Sequence, residues 1–174
     1  MTVLSDTSIN ALCEDRGVIS PFNPDLLSVC SYDLTLGNTI KVESLDPHND
    51  GWVEVDITDG YLIQPKQFIL AHTAETIRLP RDVSGQIVLR SSAARLGWNH
   101  CLAGWCDPSF HGQVTLELKN QLQLHPLTIQ AGQRLVQMIF FKLDRTPAAG
   151  YDKVGNYQHQ TGVTVSNNNV QPLV

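Results

Sequence analysis

The segment HGQVTLELKN, His111 to Asn120, places an acid inside a strand-like run. Val114, Leu116 and Leu118 alternate with Gln113, Thr115, Glu117 and Lys119, the period-2 pattern of a half-buried strand. Glu117 therefore has two readings: a solvated residue on the polar face, or a carboxylate facing a pocket and able to move protons. Upstream, LRSSAARLG (Leu89 to Gly97) runs a strand into two serines and a short helix. Its hydroxyls, the N–H groups at the helix start and the cations Arg90 and Arg95 could converge on an anion, or could be a plain cap with surface arginines. Between these segments lies HCLAGWCDPSFHG, His100 to Gly112. Ala103-Gly104 offers a close-approach backbone, and Asp107-Pro108 marks a turn whose carboxylate could orient water or a sugar hydroxyl. Its histidines and cysteines invite a zinc reading. However, the C-x4-C spacing of Cys101 and Cys106 is poor for a structural site, and the zinc-deaminase signature is absent. Near the end, YDKVGNYQHQTG combines tyrosines, glutamines and a lysine that could close over a ligand or form a mobile end.

The elements that must position these groups read mainly as strands. They are YDLTLG, TIKVES, WVEVDI, YLIQP, FILAHTAETIRL, GQIVLRSS, VTLELKN, LTIQ and RLVQMIFFKL. Turn residues separate them: Gly37-Asn38, DPHNDG, TDG, PRDVSG, LHP and AGQ. A short helix is expected in SDTSINALCEDRG, with Ser5 as cap and Gly17 as stop. A second is expected in SSAARLG, with Ser91 or Ser92 as cap and Gly97 as stop. A chain of 174 residues with 42% hydrophobic and 17% charged content suits one mainly β domain, a barrel or jelly roll. From about residue 150 the apolar pattern fades and a flexible C-terminal tail is expected. The net charge of -5 argues against a nucleic-acid coat but allows a local cationic pocket. No apolar run long enough to span a membrane and no signal peptide is visible, so a cytoplasmic protein with reduced thiols at its 4 cysteines is expected.

Taken in order, ISPFNP, SYDLTLGN, LRSSAARLG, AGWCDPSFHGQVTLELKN, IQAGQRLVQMIFFKL and NYQHQTG resemble the dCTP deaminase family of the trimeric dUTPase-like superfamily. The resemblance covers most of the chain and rests on the ordered set rather than on any one motif. It implies a single dUTPase-like domain over 1–174, a distorted β-barrel or jelly roll with short helices, assembled as a homotrimer with interfacial active sites. It also implies zinc-independent deamination of dCTP to dUTP and ammonia, with magnesium accompanying the triphosphate and no metal held directly by the protein. Glu117 matches the family's acid–base glutamate, flanked by Ser91 and Arg95. Arg90 and Ser92 match triphosphate binders, the Ala103 carbonyl a water acceptor, and Asp107 the carboxylate near the sugar. Thr115 belongs to the stretch that reads the base edge, and Tyr151 and Gln160 match residues that close over the nucleotide. The AGWCD segment resembles the branch that continues to dUMP and pyrophosphate. The other branch tends to carry His-Arg where this chain has Gly104-Trp105. Two positions depart from the pattern: Leu102 stands where a threonine is usual, and Asn156 where a lysine is usual, with Lys153 nearby. A pyrophosphatase acting on dUTP alone, and a non-catalytic nucleotide-binding regulatory trimer, are the alternative readings.

Overall fold

A computed structural model describes residues 2–46 and 51–167. Most of the expected DPHNDG turn and the last residues of the tail lie outside them. The strands are β1 (Thr2–Val3), β2 (Ile19–Ser20), β3 (Leu27–Ser28), β4 (Ser31–Leu34), β5 (Thr39–Glu43), β6 (Trp52–Asp56) and β7 (Tyr61–Ile63). They continue with β8 (Phe68–Arg78), β9 (Val83–Leu89), β10 (Trp98–Asn99), β11 (Trp105–Cys106), β12 (His111–Asn120), β13 (Leu127–Ile129) and β14 (Val136–Lys142). The helices are α1 (Asp6–Arg16), α2 (Ser91–Leu96) and α3 (Tyr151–Val154). Each expected strand segment overlaps one of these strands, and β1, β2, β3, β10 and β11 are two-residue additions too short for a periodic signal.

One sheet has the order β11-β9-β14-β4-β3, with β1 also on β14. The other has the order β10-β12-β8-β5-β6, with β2 also on β8. β7 and β13 form a separate antiparallel pair. Neither large sheet closes on itself, so "barrel" describes the architecture only loosely. Side chains of both sheets, including Tyr32, Ile87, Met138 and Phe140 from the first and Ile40, Ile69, Leu116 and Leu118 from the second, belong to one buried cluster. The helix α1 adds Ile9 and Cys13 to it and stops at Gly17, whose left-handed φ of 59° a glycine adopts without Cβ strain.

One expectation about caps is corrected. Arg90, with extended φ and ψ, holds the N-cap position of α2, and both serines lie inside its first turn. The strand β9 ends on Leu89, and Arg90 N–H donates to Leu135 O at 2.9 Å, so the chain is still paired with the neighbouring segment where a serine would have to cap.

The two sheets are stitched together by an arch in β8. Gln113 pairs with Thr76, but Thr115 pairs with His72, so residues 73–75 bulge out opposite Val114. Buried polar groups hold the arch. Thr73 Oγ1 donates to Glu75 O at 2.8 Å and accepts from Val114 N–H at 2.9 Å. The Glu75 carboxylate accepts from Thr35 Oγ1 at 2.7 Å and from Thr35 N–H at 3.1 Å. Ala74 N–H in turn reaches Thr35 O. These bonds satisfy groups that would be costly to bury unpaired.

A cleft beside β12 and a second beside α2

The alternation in β12 is complete in the structure. Its even-numbered residues from Gly112 to Asn120 are buried, and the odd-numbered ones are half-buried. That face carries Thr115 and Glu117 into a cleft of about 460 Å³, a size suited to a small-molecule ligand. Phe68 and Leu70 of the adjoining β8 and Trp52 of β6 line one side, and Ala103, Trp105 and Asp107 another. The tail supplies Tyr151, Tyr157, Gln160 and the stretch from Thr164 to Ser166.

Glu117 pairs through its backbone with Leu70. Burial raises the pKa of its carboxyl above the usual glutamate value, and a bond from its own backbone N–H offsets this in part. No ion pair reaches it among the described residues. A sheltered carboxylate without a cation keeps its proton to higher pH than a solvated glutamate does, which suits it to take and release one.

Around Glu117 the backbone is fixed closely. Gly104 O accepts from Ile87 N–H at 2.6 Å, and a Cβ on Gly104 would stand 2.1 Å from Ile87 O. Only glycine permits that approach, which holds Ala103 at the cleft. Cys101 and Leu102 before it both have positive φ, at 54° and 63°, and Leu102 is exposed. Asp107 Oδ1 accepts from the Trp105 indole Nε1 at 3.0 Å, and the indole packs on Phe141 with centroids 5.9 Å apart. The Cys106 thiol lies in the core, and burial, with the Asp107 and Glu117 charges, pushes its pKa up to about 12. It is a neutral packing group rather than a thiolate ligand.

The segment expected to be a flexible tail folds back onto β12 of its own chain. Tyr151 N–H donates to Pro108 O at 2.8 Å, and the ring meets Phe110 edge-on at 5.6 Å. Tyr151 Oη accepts from Tyr157 N–H, and Gln160 Nε2 donates to Gln113 O at 2.7 Å. Asn156 is exposed and its carbonyl accepts from Asn167 Nδ2. Lys153 extends from α3 and pairs with Asp152 at 3.5 Å, away from the cleft lining.

The other sequence-derived residues lie elsewhere on the same chain. Arg90, Ser91 and Ser92 line a second, more polar cleft of about 370 Å³, together with Asp33, Gln137 and residues 25–28. Arg90 Nε pairs with Asp33 Oδ2 at 3.1 Å, and Arg134 Nη1 approaches the same oxygen at 3.6 Å. Arg95 is exposed on α2 and lines neither cleft. One protomer thus brings Glu117, Thr115, Ala103, Asp107, Tyr151 and Gln160 together and keeps Ser91, Ser92, Arg90 and Arg95 apart from them.

Sequence reasoning missed Asp33, although a carboxylate in the wholly buried strand β4 is a signal that a cation must stand beside it. Trp52, Phe68 and the residues from Thr164 to Ser166 were also missed. They reach the cleft through sheet pairing and tail packing that no local pattern encodes.

An open two-sheet β fold with a carboxylate-bearing cleft between a sheet face and a folded-back tail defines a class of small-molecule site. The dCTP deaminase-like family model matches residues 3–143, and the chain belongs to that family. It is similar to "dCTP deaminase, dUMP-forming" of Aquifex aeolicus, at 38% identity over 94% of this chain and 93% of that protein. It is likewise similar to the protein of the same description from Persephonella marina, at 37% identity over 94% and 96%. In fold it resembles the 2'-deoxycytidine 5'-triphosphate deaminase of Agrobacterium tumefaciens, with TM-score 0.65 and 23% identity over 79% of this chain. The match spans 47% of the length of that Agrobacterium chain.

Proposed function

We propose that this protein deaminates dCTP without zinc and carries the product on to dUMP, in active sites built between the protomers of a homotrimer. The observation that carries the proposal is Glu117, a carboxylate raised by burial at an aromatic-lined cleft, on a chain whose relatives at 37–38% identity are described as dUMP-forming dCTP deaminases. In the first step Glu117 takes a proton from water as the oxygen bonds to C4 of cytosine. The ring nitrogen and then the amino group receive protons, the C4–N bond breaks, and ammonia leaves. The balance is dCTP plus water to dUTP plus ammonia, and Glu117 returns to its starting state.

The Ala103 carbonyl accepts a hydrogen bond from the other O–H of the attacking water, whose proton later passes through Glu117 to the leaving amino group, and the stretch from Thr115 to Glu117 reads the base edge. A neighbouring protomer brings Ser91 to hold the water or the glutamate, and Arg95 to stabilise charge at the reacting carbon. Arg90 and Ser92 of that protomer take the triphosphate, with Asp33 orienting the Arg90 guanidinium. Tyr151 and Gln160 close over the nucleotide. In the second step Asp107 orients a water for attack on phosphorus, releasing pyrophosphate from dUTP.

Magnesium travels with the triphosphate. The exposed Asp107 carboxylate is the kind of hard oxygen donor that suits this ion through bound water, and the cation offsets charge on the phosphate oxygens. Incubation with dCTP and magnesium should release both ammonia and pyrophosphate. Pyrophosphate from dUTP with no ammonia from dCTP would favour the dUTP-only alternative, and release of neither product would favour the regulatory one.

A further inference from the structure

The tail approaches Glu117 along β12 in regular steps. His159 N–H donates to His111 O at 2.6 Å, Gln160 bonds to Gln113, and Thr164 N–H donates to Thr115 Oγ1 at 3.2 Å. The odd-numbered face of β12 thus guides the tail toward the carboxylate two positions further on, and Ser166 lines the cleft there with Glu117.

Gln113 makes three of the bonds along this path and a fourth to β8. Its N–H donates to Gln160 O at 3.0 Å, and its carbonyl accepts from Gln160 Nε2 at 2.7 Å. Its side-chain Oε1 accepts from Gly162 N–H at 2.6 Å, and its Nε2 donates to Ala74 O at 3.1 Å. Ala74 lies in the β8 arch, and Gly162 holds a left-handed φ of 64° that turns the tail toward Thr164. The Gln113 side chain therefore ties the tail's turn to the arch, yet it does not line the cleft.

We propose that Gln113 is a positioning residue, which sets the register of the tail over Glu117 by bridging Gly162 to the β8 arch. An amide is required, because one atom must accept from Gly162 while the other donates to Ala74. The proposal rests on the nucleotide-site reading of the cleft for its catalytic consequence, but not for its structural one.

The test is amide hydrogen exchange on the full chain without nucleotide, read over residues 160–166, together with KM for dCTP. Gln113→Ala should speed exchange in that segment and raise KM, each by about tenfold. Gln113→Glu, which keeps the acceptor for Gly162 and loses the donor to Ala74, should fall between the parent and the alanine variant. Exchange over 160–166 equal to the parent's in both variants would overturn the proposal. So would a rise spread equally over β9 and β14, which would mark general destabilisation. A parent protein that releases no ammonia from dCTP would instead overturn the proposed function, and the exchange comparison would still decide the role of Gln113.

Discussion

In the proposed mechanism Glu117 is an acid that must act as a base, and its surroundings set the pH at which it can do so. Burial within one protomer raises its pKa. The base form is therefore lost as pH falls through a value above the ordinary 4.5, and kcat/KM should fall with it. If Arg95 of a neighbour faces this carboxylate, its charge favours the ionised form. Arg95→Ala should then move the acidic limb of the kcat/KM profile to higher pH, and an unmoved limb would place Arg95 elsewhere.

Glu75 carries a similar shift for a structural reason. Burial raises its pKa, and the bonds from Thr35 pull the other way. A carboxyl raised in the folded state contributes stability fully below its unfolded pKa and loses it as pH rises through the folded value. Relative to the parent, Glu75→Gln should therefore gain stability as pH rises above the ordinary glutamate value of 4.5, as read by urea midpoints. At this scale the sequence was legible where one period sufficed, since alternation alone put Thr115 and Glu117 on one face. It was silent on Asp33 and on its ion pair with Arg90, which joins positions distant in the chain.

At the scale of elements, the cleft depends on β11 holding close to β9. Trp105 pairs with Gln86 and Cys106 with Gly85, and the Gly104 backbone just before them is in hydrogen-bond contact with Ile87. Gly104→Ala forces a Cβ against backbone rather than against a movable side chain. It should cost on the order of 2 kcal/mol or more, lower the melting temperature and displace Ala103 from the cleft. Circular dichroism melts and the deamination rate read both effects, and an alanine variant matching the parent in both would contradict this account of the turn.

The longer strands were legible because their apolar residues alternate or run in blocks between turn residues. The two-residue strands, the α2 cap and the arch in β8 were not. Each depends on a partner segment: Leu135 O for the N–H of Arg90, Thr35 for Glu75, Val114 for Thr73. The segment from 150 to 167 shows the same limit. Its polar composition reads as a free end, yet backbone groups of His159, Gln160, Gly162 and Thr164 hydrogen-bond to residues of β12.

For the whole molecule, the decisive feature is that one chain carries two separate clefts, which are read here as half-sites. The Glu117 cleft holds the groups for proton transfer, and the Arg90, Ser91 and Ser92 cleft holds hydroxyls and a cation suited to phosphates. In the proposed mechanism a symmetric trimer would join the first cleft of one protomer to the second cleft of the next. The resemblance carried an expectation of interfacial sites, whereas the separation of the two clefts on one chain could come only from coordinates.

Mixed assembly tests the division most directly. Glu117→Gln and Ser91→Ala trimers should each be nearly inactive in releasing ammonia from dCTP. After co-expression of the two variants, each mixed interface that pairs an intact Glu117 with an intact Ser91 should regain function, giving about a quarter of parent activity for random assembly. Ammonia release at that level is the result predicted here. Mixed trimers as inactive as their parents, with both variants folded and assembled, would contradict the claim that Glu117 works across a protomer boundary.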